Sequence, residues 1–179
     1  VAKVGANGAL ETQVGSLDLI NSTSGAVAIS EADALTITRL SQASSGNVRV
    51  DTINGAITVS GTGISSGTGS ITLHAGGTTG AFILVGANIS TIDADISLTT
   101  DSGNITIGAG INAGTSGDIS LYAPQGSILN AADAVNWLLT DHVFNPHIDW
   151  ALRYGLISVD AATGRIVIAG ATAAQEAEH

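Results

Sequence analysis

The chain has 179 residues, 44% hydrophobic but only 3% aromatic, with 11% charged residues and a net charge of −10. Five scattered bases against fifteen acids exclude the clustered Lys and Arg that a nucleic-acid backbone or an anionic membrane surface requires, and the apolar fraction argues against disorder. The absence of cysteine removes disulfides, thiolate metal sites and cysteine nucleophiles together. No apolar run approaches the ~20 residues needed to span a bilayer. The first residues lack the basic-then-apolar layout of a signal peptide, so the expectation is a mature protein or an excised segment.

Upstream of Val48 the phrases SLDLI, AVAIS and ALTITRL alternate as short strands do, in a register that fits either a wider first coil or a non-equivalent cap. From Val48 onward three interleaved series emerge. The first passes through Val48, Ile71, Ile96 and Ile119, in NVRV, SITL, DISL and DISL. The second passes through Ile57, Ile83, Ile105 and Ile128, in AITV, FILV, NITI and SIL; a third, weaker one joins Ile64, Ile89 and Ile111. Members of a series recur about every two dozen residues and the series keep their order, a period that marks a solenoid.

Three short strands per repeat predict an all-β fold, a parallel β-helix over residues 1–130. In Ile96-Ser97-Leu98 the outer side chains point inward and the serine outward. Gly103, Gly117 and Gly126 precede strands, at corners expected to need positive φ. A β-sandwich is the alternative, since it too uses many short strands with Gly-rich turns. The scarcity of aromatics and the fixed period favour the β-helix.

After Asn130 the pattern changes. Residues 131–155 hold Trp137, Trp150, Phe144 and Tyr154, and Val135, Leu138, Leu139 and Val143 follow helical spacing. Asn130 or Asp133 is placed to cap the first helix, Pro146 to end or kink it, and Gly155 to stop a second turn. The reading is a helical cap or insertion, because the open end of a coil would otherwise template aggregation. Residues 156–170 read as a terminal hairpin with Ala161 to Gly164 as its loop, and 171–179 as a frayed tail.

Candidate chemistry is sparse. Asp141, His142, His147 and Asp149 combine imidazole and carboxylate as divalent metal sites do. Their spacing gives no helical i, i+4 His pair, so they stand as weak metal candidates only. Gly63-Ile64-Ser65-Ser66-Gly67 matches the nucleophile pattern G-x-S-x-G, which needs a strand-to-helix elbow to function. Asp93, Asp95 and Asp101 lack the full calcium-loop spacing and its closing Glu. Asp95 and Asp118 fall one coil apart, where stacked carboxylates would tune each other. Three sequons begin at Asn21, Asn88 and Asn104, and the outward row Thr58, Thr72, Ser97, Thr106 and Ser120 mixes types too freely for a regular ice-binding array. No residues converge on a catalytic site or a cofactor cradle.

The phrases GSITL, GDISL and GNITI resemble the repeats of filamentous haemagglutinin-type proteins and related large bacterial surface adhesins, over about residues 15 to 130. That resemblance implies export, a right-handed parallel β-helix, and a role as stalk or attachment surface. It transfers no binding residues, because the repeat is structural. The expectation is therefore a non-enzyme without cofactor, secreted or displayed on a bacterial cell surface. Its partner would be a glycan, a host surface or another protein, with no nucleic acid and no membrane insertion. The alternatives are a glycan-active β-helix enzyme, lyase or hydrolase, and a filament subunit that assembles end to end as a homo-oligomer.

Overall fold

The computed structural model describes residues 8–131 in full, together with the backbone of strands at 3–4, 157–159 and 166–168. The chain divides into two compact units, Val1–Leu129 and Asn130–His179. The first is a parallel β-helix of about five turns.

Its first face is built from β1 (Lys3–Val4), β2 (Leu10–Thr12), β4 (Val27–Glu31), β6 (Val48–Thr52), β8 (Ile71–Ala75), β11 (Ile96–Thr100) and β14 (Ile119–Tyr122), in that spatial order. All neighbours are parallel except β1, which pairs antiparallel with β2. Val27, Val48, Ile71, Ile96 and Ile119 stand in direct register. Such same-direction neighbours, one coil apart in sequence, rule out the two facing antiparallel layers of a β-sandwich.

The second and third faces share a sheet. In the early coils one long strand serves both: β3 (Ser16–Asn21), β5 (Leu35–Gln42) and β7 (Ile57–Ser66). Between Ile37 and Arg39 the register of β5 shifts against β7, so that Ile37 faces Val59 while Arg39 faces Gly63. The extra residues of β7 turn the corner, with Gly61 at φ 61° and Gly63 at φ 81°, values that an L side chain resists. Later coils divide the same path into β9 (Ile83–Val85) and β10 (Ile89–Ser90), then β12 (Ile105–Ile107) and β13 (Ile111–Asn112), with β15 (Ile128–Asn130) beside β12. Leu35, Ile57, Ile83 and Ile105 form the second column, and Leu19, Leu40, Ile64, Ile89 and Ile111 the third. The segments before Val48 thus belong to ordinary coils, and only the antiparallel β1 is non-equivalent.

Backbone hydrogen bonds tie each coil to the next at equivalent places on every face. The N–H groups of Val48, Ile71 and Ile96 donate to the carbonyls of Ser70, Asp95 and Asp118 at 2.8–2.9 Å. On the second face Ile57, Ile83 and Ile105 donate likewise to Phe82, Asn104 and Ser127, each at 2.9 Å. The interior is aliphatic: Ile57, Ile71, Leu73, Ile83, Ile89, Ile96, Leu98 and Ile105 are fully buried. Each such side chain contributes ~1.5–3 kcal/mol through removal from water. In the last turn the inward Ile119 and Ile128 are 47% and 51% exposed, because no described coil stacks over them.

Inward polar residues sit at corners. Thr52 and Thr100 are buried and donate their hydroxyls to the carbonyls of Gly55 and Gly103 at 2.6 and 2.7 Å, and Thr91 does the same to Ala94 at 2.7 Å. The phrase Thr-x-x-Gly/Ala-x-Ile is thus a corner signature: the hydroxyl bridges the bend and the following Ile begins the next face. Glu31 occupies the equivalent place in an early coil, fully buried, and its carboxylate accepts from the Thr12 hydroxyl at 2.6 Å and from the backbone N–H groups of Val14 and Ala32 at 3.0 and 3.1 Å. Three donors on the carboxylate explain how it is tolerated when buried.

One expectation about glycine is corrected. Gly103, Gly117 and Gly126 are absent from the positive-φ glycines. They are required because coils approach too closely for a side chain: a Cβ on Gly117 would lie 2.3 Å from the Ala94 carbonyl oxygen, and one on Gly126 2.1 Å from that of Gly103. Gly69 is placed likewise, 1.9 Å from the Gly46 oxygen.

In the second unit β16 (Ile157–Val159) pairs antiparallel with β17 (Ile166–Ile168). The helical cap or insertion expected at 131–155, the loop at Ala161 to Gly164 and the tail at 171–179 lie outside the described residues.

Two consequences are measurable by urea unfolding. Gly69→Ala should cost about 1–3 kcal/mol, the usual penalty of overpacking, whereas Gly15→Ala, with nothing near its Cβ, should be neutral to slightly stabilising. Leu98→Ala should cost ~2–5 kcal/mol as a buried truncation, and Ile119→Ala clearly less, since that residue is half exposed.

Candidate functional site

The most varied outer chemistry lies on the first face. Its outward positions form two columns. One carries Ala28, Arg49, Thr72, Ser97 and Ser120; the other carries Ser30, Asp51, His74, Thr99 and Tyr122. Parallel register places each member ~4.8 Å from the next. Tyr122 is 60% exposed at one end of its column.

Across these coils runs a charged chain. The Arg49 guanidinium donates through Nε and Nη2 to the two oxygens of Asp51 at 2.6 and 2.8 Å. His74 Nδ1 lies 3.6 Å from Asp51 Oδ1, and its Nε2 lies 2.9 Å from Asp101 Oδ1. Asp101 Oδ2 accepts the Gly77 N–H at 3.2 Å. The hydrogen bond from His74, aided by that of Gly77, lowers the Asp101 pKa from its usual 3.8. Both ring nitrogens of His74 face carboxylates, Nε2 within hydrogen-bond distance of Asp101 and Nδ1 beyond it from Asp51. What the face offers is an ordered set of donors and acceptors beside an exposed phenol ring, suited to a hydroxyl-rich ligand.

The structure separates the other acids. Asp93 Oδ1 accepts the Thr115 N–H at 2.6 Å, the Thr115 hydroxyl at 2.8 Å and the Ser116 N–H at 3.3 Å. The Thr115 backbone bond is the main cause of its lowered pKa. Asp95 and Asp118 are neighbours, yet Asp95 Oδ1 accepts the Asp118 N–H at 3.0 Å. It serves as a corner acceptor, as Asn47, Asn88 and Asn104 do toward Ser70, Gly110 and Ser127. Asp93, Asp95 and Asp101 therefore each bind a different partner. Among the described residues no group of three metal-ligating side chains converges; Asp141, His142, His147 and Asp149 lie outside them.

The G-x-S-x-G match is a chance one. Ser65 lies within β7, paired on its two sides with Ser41 and Ser90, and Gly63 is the corner residue described above. The strand-to-helix elbow that the motif needs is not formed. The outward hydroxyl row also divides: Thr72, Ser97 and Ser120 lie on the first face, Thr58 and Thr106 on the second. The His74 cluster escaped sequence reasoning because Asp51, His74 and Asp101 are far apart along the chain. The signal that would have found it is the first series itself, extended three positions from Val48 and Ile71.

No helix among the described residues is long and apolar enough to cross a membrane. Comparison of the chain with protein-family models, with curated proteins and with solved structures gives no match.

The lowered pKa values of Asp93 and Asp101 set an acid limb. A carboxyl whose folded-state pKa lies below its unfolded value stabilises the fold above the unfolded value, and loses that contribution as pH falls through the folded one. Urea midpoints should therefore drop as pH falls below about 3.8. Asp93→Asn and Asp101→Asn should lower the neutral-pH midpoint and make the acid drop shallower.

Proposed function

We propose that this β-helix is a non-catalytic, attachment-type segment of a secreted or surface-displayed bacterial protein, which offers its first face to a glycan, a host surface or another protein. The observation that supports the reading most is the pair of outward columns from Arg49 to Ser120 and Asp51 to Tyr122. They form a register-locked polar surface whose charged members are engaged with one another. The resemblance of GSITL, GDISL and GNITI to filamentous haemagglutinin-type repeats points the same way, and export follows from it as part of the proposal.

The electrostatics favour a neutral or basic partner group over a polyanion, given a net charge of −10 and only Arg49 as a cation on these columns. A glycan-active enzyme is the second reading, and one observation favours it: an imidazole between two carboxylates on an open β-helix face.

Passage over a panel of immobilised neutral polysaccharides separates the two. Attachment predicts retention without new chain ends, weakened on the order of tenfold by Tyr122→Ala, the scale of one lost aromatic contact of ~1–1.5 kcal/mol. Release of shortened glycan that disappears in His74→Ala would overturn the non-catalytic reading.

A further inference from the structure

Thr52 to Ile57, Ser66 to Ile71, Thr91 to Ile96 and Thr100 to Ile105 spell one corner phrase: a hydroxyl residue, two variable residues, Gly or Ala, one more residue and Ile. Where the phrase begins with threonine, the hydroxyl donates to the carbonyl three residues on, at 2.6, 2.7 and 2.7 Å. Ser66 departs from its peers. It is 6% exposed, and its Oγ bonds neither to the Gly69 carbonyl nor to any other described group.

A second buried oxygen in the same column is also without a partner. Ser66 stands in register with Gln42, which is 1% exposed. The Gln42 carboxamide nitrogen donates back to the carbonyl of Gly25 in the preceding coil. It lies under Gly46, where a Cβ would come within 2.9 Å of it. The carboxamide oxygen, Gln42 Oε1, accepts from no described group. Ser102 Oγ shares this condition but sits at a different corner, between β11 and β12. Gln42 Oε1 and Ser66 Oγ are thus a pair set by register.

An aliphatic interior does not leave such atoms unbonded; they are met by a protein group or by an ordered water. The two oxygens do not bond to each other. One water with two hydrogen bonds of ~2.8 Å spans a coil-to-coil spacing of ~4.8 Å. Serine also supplies room. Gln42 precedes it in the column, and Thr91 follows it as Ser90 follows Ser65. Both neighbours are larger, and Ser66 lacks the methyl group that Thr91 carries.

We propose that a single ordered water molecule is bound between Gln42 and Ser66, donating to Gln42 Oε1 and accepting from the Ser66 hydroxyl. It joins two coils, whereas each threonine corner closes only its own. The site lies inside the coil and is independent of the attachment reading.

Crystallography of the full chain tests this directly. The expected result is a density peak ~2.6–3.2 Å from both Gln42 Oε1 and Ser66 Oγ. In solution, water deuteron relaxation dispersion counts long-lived internal waters. The chain carrying both Gln42→Leu and Ser66→Ala should hold one fewer than the parent, because a small apolar site stays dry. The crystal test stands should that variant fail to fold. No peak at that position, a direct bond between the two side chains, a Ser66 bond to the Gly69 carbonyl, or an unchanged count in the folded variant would each overturn the proposal.

Discussion

Parallel backbone pairing between successive coils is the constraint on which the rest of the structure depends. Once Ile71 must bond beside Val48 and Ile96 beside Ile71, like residues come to lie above like, and every position along the repeat acquires one environment. Inward places become aliphatic columns and corner places become ladders of Gly, Thr and Asn. The outer surface becomes columns spaced by the interstrand distance. A change at any place is then felt by the coils on either side of it.

Close stacking also explains the composition. The described core holds no aromatic ring and is filled instead by columns of Ile, Val, Leu and Ala. Glycine is abundant largely because corner carbonyls of one coil press on the next, as at Gly69, Gly117 and Gly126. Acidic residues are numerous yet not concentrated in a site, because Asp93 and Asp95 accept inter-coil N–H groups that would otherwise lack partners. The surface chemistry that remains, around Arg49, Asp51, His74 and Tyr122, rests on a frame already stabilised without it.

Much of this frame was legible in the chain. The three series that begin at Val48, Ile57 and Ile64 name the three columns, since period-two alternation and a two-dozen-residue repeat leave few other arrangements. What was not legible turned on contacts between coils. The separate series at Ile57 and Ile64 imply a corner between them but not that one strand, β7, runs through it, and no local rule separates a glycine needed for its φ from one needed for space. Nothing in the sequence around Glu31 signals its burial, which the stacked Thr12 and the turn at Val14 make tenable. Of the site, the hydroxyl columns were visible as a single row but not their division between faces, and the His74 cluster was not visible at all.

The register of the coils is open to direct measurement, because the chain lacks cysteine and labels can be placed at will. Nitroxides paired on Ser120 with Ser97, Thr72, Arg49 or Ala28 in turn, read by dipolar electron paramagnetic resonance, report how far apart successive coils lie. The account predicts separations that lengthen by ~4.8 Å with each coil, from nearest neighbours at Ser97 to four spacings at Ala28. A series that fails to lengthen in that order, or that brings Ala28 and Ser120 closer than Thr72 and Ser120, would contradict it.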